Sequence, residues 1–149
     1  MCMNFGGGCM RRFLDSNVFL YAYLKPRRKP PQRVLEMKKH AKEIIKRVES
    51  GEEVVTSVVH LSKILNILES HLGLQISLQF LETMLSMKNM EIAEVGRKDY
   101  EDALILCNKF NISANDGIAV KIMRSLGINE IYSFDSHFDN VPGIKRITR

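Results

Sequence analysis

Three aspartates, Asp15, Asp116 and Asp135, are the side chains of this 149-residue chain best placed to do chemistry together. Asp15 follows the short run Arg12-Phe13-Leu14, Asp135 closes Ile131-Tyr132-Ser133-Phe134, and Asp116 opens a run with helical spacing. In a parallel sheet with right-handed crossovers, strand ends and the starts of the helices beside them share one edge, so the three carboxylates are expected to converge. Converging carboxylates repel one another unless a cation lies between them, and hard oxygen donors favour Mg²⁺ or Mn²⁺. Such an ion can generate a hydroxide and stabilise a phosphodiester under attack. Each aspartate also has a purely structural use: Asp116 as a helix cap, Asp15 in a turn with Asn17, and Asp135 as a cap for the Ser136–Asp139 turn. Ser16, Asn17, Asn115 and Ser133 flank them and serve either to orient the carboxylates or as turn residues. His137 is set aside as a surface residue of a turn.

The elements that must position these residues alternate along the chain. Val54-Val55-Thr56-Ser57, Met90 to Val95 and Ile144 to Ile147 read as further strands. Helical stripes run through Val34, Met37, Ala41, Ile44, Ile45 and Val48, through Leu61 to Leu68, through Ile76 to Leu85, through Tyr100 to Phe110, and through Ile118 to Leu126. A short turn or helix covers Val18 to Leu24, and Pro26, Pro30 and Pro31 mark a loop after it. Strands alternating with helices predict an α/β fold around a mostly parallel sheet of four to five strands. With no internal repeat or linker, residues 11–149 are expected to form one domain. Residues 1–10, with Gly6-Gly7-Gly8, fit no periodic pattern and are expected to be a flexible leader, with Met10 as the natural start.

Composition narrows the classes. Apolar residues at 45% and charged residues at 26% exclude disorder as the main state. No apolar run approaches the roughly 18 residues of a membrane span, and the N-terminus lacks the apolar core of a secretory signal, which points to the cytoplasm. Cys2, Cys9 and Cys107 give an odd count without zinc spacing, so no disulfide framework is expected. The net charge of +5 is unevenly spread. Ten basic residues lie between Lys25 and Arg47, among them Arg27, Arg28, Lys29, Arg33, Lys38, Lys39 and Lys42, against only Glu36 and Glu43. A basic segment beside a mildly acidic body suits a polyanion such as RNA or DNA, although a solvated helix face has the same look.

Four blocks in order carry a resemblance. Phe13-Leu14-Asp15-Ser16-Asn17-Val18, Thr56-Ser57-Val58-Val59-His60-Leu61-Ser62, Ser113-Ala114-Asn115-Asp116 and Ser133-Phe134-Asp135-Ser136-His137-Phe138-Asp139 resemble the PIN domain, and most of all its small VapC-like toxin members. The resemblance covers nearly all of the chain after Met10. It implies a three-layer α/β/α ribonuclease fold, Mg²⁺ or Mn²⁺ at an acidic site, RNA as substrate, an antitoxin protein as partner, and a homodimer. Asp15, Asp116 and Asp135 fall on the family's acidic positions, and Asp139 on a more variable further one.

One position departs from the family pattern. The second acidic residue, normally Glu, lies six residues after the Ser that ends the second strand, and here that place holds Lys63. Glu69 lies too far around the helix to substitute, and Asn66 and His60 carry no negative charge. At ~4 Å an ammonium and a carboxylate attract by ~4 kcal/mol at an effective dielectric near 20, so Lys63 is expected to pair with Asp15 or Asp116. At most one metal ion, weakly held, is then expected. Two functions share this reading: a metal-dependent endoribonuclease impaired by Lys63, or a degenerate module that binds RNA or a protein without cutting. A phosphoacceptor receiver domain also has aspartates at strand ends, but it needs an acidic pair after the first strand, where this chain has Ser16 and Asn17.

Overall fold

Alternation along the strands decides which side chains face which helices. Leu14, Val54 and Tyr132 point to one face of the sheet and Phe13, Val55 and Ile131 to the other, so each face builds its own core. The computed structural model describes residues 11–26 and 28–149. The leader expected over residues 1–10, and Arg27 of the basic segment, lie outside the described residues.

Five strands, β1 (Arg12–Leu14), β2 (Val54–Ser57), β3 (Met90–Ala93), β4 (Glu130–Tyr132) and β5 (Lys145–Ile147), form one sheet in the order β3-β2-β1-β4-β5. Every neighbouring pair is parallel. Four helices cover one face: α1 (Ser16–Tyr23), α2 (Gln32–Glu49), α3 (Val58–Leu72) and α4 (Leu74–Ser86). The other face packs against α5 (Arg97–Phe110), α6 (Ala114–Leu126) and a 3₁₀ turn at Ser136–Asn140. The result is the three-layer α/β/α arrangement that the resemblance implies.

The strand order places the site. From β1 the chain moves outward to β2 and β3, then crosses back to β4 on the other side of β1 and moves out to β5. The strand order therefore reverses direction between β1 and β4, and a parallel sheet opens a crevice there, beyond its carboxyl ends. Asp15 follows β1, and Ser133 to Asp135 follow β4. The third aspartate is brought over by α6, whose close approach to α5 depends on Gly117. A Cβ at that position would stand 2.5 Å from Cys107 Sγ and 3.1 Å from the Ala103 carbonyl oxygen.

Local details differ from the sequence reading at element ends. Ala114 and Asn115 belong to α6 rather than to the preceding loop, because Ser113 is the cap: its Oγ accepts from the Asp116 backbone N–H. Asp116 is thereby freed from capping and sits inside the first turn. Asp15 ends β1 by capping α1, accepting from the Ser16 N–H at 2.8 Å. Asp135 caps the 3₁₀ turn through the His137 N–H at 2.9 Å.

Candidate acidic site

The crevice between β1 and β4 is built around one hydroxyl. Ser133, fully buried, donates from Oγ to Asp15 Oδ2 at 2.7 Å and accepts the Asp135 N–H at 3.0 Å. The Asn17 side chain spans the same gap, donating to Ser133 Oγ and accepting from the Phe134 N–H. The ends of β1 and β4 are thus tied together at the point where their aspartates emerge. Asp15 is 5% exposed; burial pushes its carboxyl above the usual range, against the opposing pull of the Ser133 and Ser16 hydrogen bonds and the Lys63 charge.

Asp116 is strongly perturbed as well. Its carboxyl is raised from 3.8 to about 7, first by burial and then by the charges of Asp15 and Asp135. Its Oδ2 is buried and has no hydrogen-bond partner among the described residues. Ligand atoms of Asp116, Asp135 and His137 lie within 4.8 Å of one another, and His137 Nδ1 stands 2.9 Å from Asp135 Oδ1. Like charges crowded in this way, with one oxygen unsatisfied, are what a divalent cation would relieve. The donor set of two carboxylates and an imidazole suits Mg²⁺ or, with its nitrogen, Mn²⁺.

A family model of the PIN domain matches residues 12–144. The chain belongs to the PIN domain family. Solved structures with the same fold include a sarcin-ricin loop cleaving toxin, VapC20 of Mycobacterium tuberculosis, with TM-score 0.63, 19% identity, and coverage of 83% of this chain and 89% of that one. A toxin–antitoxin complex from Klebsiella pneumoniae gives 0.62 at 12% identity over 90% and 95% of the two chains. VapBC2 from Rickettsia felis, bound to a DNA fragment from its promoter, gives 0.61 at 14% over 93% and 98%. No curated protein matches the sequence closely enough to count as a relative.

Within this PIN domain, Asp116 and Asp135 come together as expected, and His137 joins them. The histidine is exposed, as its turn suggested, yet the Asp135 cap folds the turn so that the ring returns to the carboxylate. The signal that could have found it is the aspartate followed two residues later by histidine at a 3₁₀ start. Asp15 stands outside that 4.8 Å group, acting on Asp116 through its charge. Asp139 is placed differently again: both its oxygens accept from Arg146, each at 3.1 Å.

The expected pairing of Lys63 with Asp15 or Asp116 is not formed; no ion pair joins them among the described residues. The position nearest Asp15 on α3 is taken by His60, one turn earlier. Its ring is fully buried, with Nδ1 2.6 Å from Ser57 Oγ and Nε2 3.8 Å from Asp15 Oδ1. Burial, with the Lys63 charge, lowers its pKa to about 4, so it is neutral at pH 7. Lys63 itself is exposed and lines a neighbouring cleft with Asn115.

The basic segment divides in two. Arg28, Lys29, Arg33, Lys39 and Lys42 are exposed. Lys38 is not free: its ammonium donates to the carbonyls of Tyr21, Ala22 and Leu24, closing the C-terminus of α1 and fastening α2 to it. No helix among the described residues is long and apolar enough to cross a membrane.

Proposed function

We propose that this PIN domain is a metal-dependent endoribonuclease of the VapC toxin kind, hydrolysing RNA phosphodiester bonds. The observation that carries the reading is Asp116: a buried carboxylate with an unpartnered oxygen, crowded by Asp15 and Asp135 at a sheet crevice. Asp116 and Asp135 would hold one Mg²⁺ or Mn²⁺, with His137 in reach and Asp15 adding negative charge beside them. When bound, the ion supplies polarisation of a phosphate oxygen and a water of lowered pKa. Ser16 and Ser133 hold the Asp15 carboxylate in one orientation by hydrogen bonds to its two oxygens, and Asn17 locks Ser133 in place. Asn115, beside Asp116, faces the approaching substrate. Arg28, Lys29, Arg33, Lys39 and Lys42 grip the RNA backbone, while Lys38 holds their helix in position.

Lys63 limits the site to one weakly held ion, because a positive charge replaces the acid that a second would need. Asp139 is engaged by Arg146 and stands apart from the other three expected aspartates as a ligand, since binding would break a two-pronged ion pair. The toxin–antitoxin complexes among the similar structures support an antitoxin partner for this chain; the homodimer and the cytoplasmic location belong to the proposal by resemblance to the VapC-like toxins alone.

Labelled RNA incubated with Mn²⁺ tests this. Cleavage by the natural chain that vanishes in Asp116→Asn supports it. A second reading, a module that binds RNA or a protein without cutting, is favoured by Lys63 alone. Cleavage appearing only in Lys63→Glu would establish that reading instead.

A further inference from the structure

Lys63 is the charged side chain that the acidic site does not absorb. It projects from the second turn of α3 into a cleft of ≈ 430 Å³ walled by Val59, Ser62, Asn66, Tyr100 and Asn115 among others. Lys63 is the one charged residue in that lining, which contains no Asp or Glu. Its ammonium has no hydrogen bond or ion pair to any described residue. Around it, Asn66 and Asn115 offer amide donors and Ser62 a hydroxyl. Across the cleft Tyr100 is 45% exposed, with no ring contact to a described residue.

The cleft neighbours the acidic centre through the first turn of α6. Asn115 lines it and the next residue, Asp116, belongs to the carboxylate group. A cation is turned away from this cleft by the ammonium, whereas an anion meets one full positive charge and neutral donors. An anion alone would leave the Tyr100 ring uncovered; a nucleotide would use both, its phosphate at Lys63 and its base on the ring.

We propose that this cleft is a nucleotide subsite beside the acidic centre. Lys63 holds a backbone phosphate of single-stranded RNA next to the one presented to Asp116 and Asp135, and the adjoining base stacks on Tyr100. The lysine thus binds substrate where the family pattern has an acid. The placement relative to the cut bond rests on the ribonuclease reading; the binding itself rests on the cleft.

The test is the affinity of the full chain for a labelled single-stranded RNA oligonucleotide across a salt series, in chelator so that cleavage plays no part. Lys63→Ala should weaken binding about tenfold and flatten the slope of log affinity against log salt by about 0.7, the share of one phosphate on a single strand. Lys63→Arg should keep the slope. Tyr100→Leu should weaken binding severalfold with the slope unchanged, because stacking releases no counterion. Affinity and slope in Lys63→Ala equal to the natural chain, or no RNA binding by the natural chain, would overturn the proposal. Cleavage with Mn²⁺ is measured separately. A Lys63-dependent slope without cleavage removes the ribonuclease reading and keeps the subsite, and cleavage with Lys63-independent binding does the reverse.

Discussion

The two ends of the same strands treat charge in opposite ways. At the amino end, Arg12 of β1 donates to Glu130 of β4 at 3.2 Å, to Glu52 before β2 at 3.1 Å and to the Tyr132 hydroxyl at 2.6 Å. The Tyr132 hydroxyl in turn donates to Glu52, so acids, base and phenol satisfy one another. At the carboxyl end, Asp15 and Asp135 emerge from the sheet and α6 brings Asp116 to the same edge, and among the described residues no lysine or arginine pairs with any of the three. Ser133, Ser16 and Asn17 orient the cluster without neutralising it. A folded chain that balances charge at one end and leaves it crowded at the other gains nothing in stability from the second arrangement. The imbalance is stabilised only when something positive arrives.

The sharpest way to break the contrast is to remove charge from the crowded end. Asp116→Asn should lower RNA cleavage with Mn²⁺ by at least about 100-fold, since it takes away both a ligand and the negative charge that draws the ion. The same substitution should stabilise the metal-free fold. Asp116 keeps its proton in the native state up to about pH 7, whereas the unfolded chain loses it near 3.8, so the native state binds more protons between those values and stability falls as pH rises through them. Thermal melts should therefore show Asp116→Asn several degrees more stable than the natural chain at pH 8 and equal to it at pH 4. Equal melting at both would mean the carboxylates are not crowded.

At the balanced end the sign reverses. Arg12→Ala leaves Glu52 and Glu130 without their shared cation and should destabilise the fold by about 1–2 kcal/mol, a modest figure because the side chain is partly exposed. Cleavage measured well below the melting temperature should not change. The smallest effects belong to α2. Lys39→Ala or Lys42→Ala should leave melting within about 0.5 kcal/mol and flatten the salt dependence of RNA binding by about 0.7 each. Lys38→Ala should instead lower melting, because three carbonyls at the end of α1 lose their donor.

The layers and strands were legible in the sequence because burial imposes pattern: the short continuous run Val54-Val55-Thr56-Ser57, buried throughout, and the stripe Ala41, Ile44, Ile45, Val48 can be satisfied in few ways. The edge shared by the aspartates was legible for the same reason, since a parallel sheet leaves little freedom about where strands end. What the sequence concealed was the direction of individual side chains. Whether Lys63 meets Asp15 depends on which residue of α3 fills the space one turn earlier, and His60 fills it. Whether Asp139 faces the crevice depends on Arg146, seven residues further on, which engages it. His137 joins Asp135 only because the cap bends the turn. Each of these is set by packing across elements, which no local spacing records.

Calorimetric titration of Mg²⁺ or Mn²⁺ into the metal-free protein tests the central claim most directly, that the crowded carboxylates form a cation site. One saturable ion per chain, lost in Asp116→Asn and retained in Arg12→Ala, is the expected result. No saturable binding, or binding that survives Asp116→Asn unchanged, would contradict it.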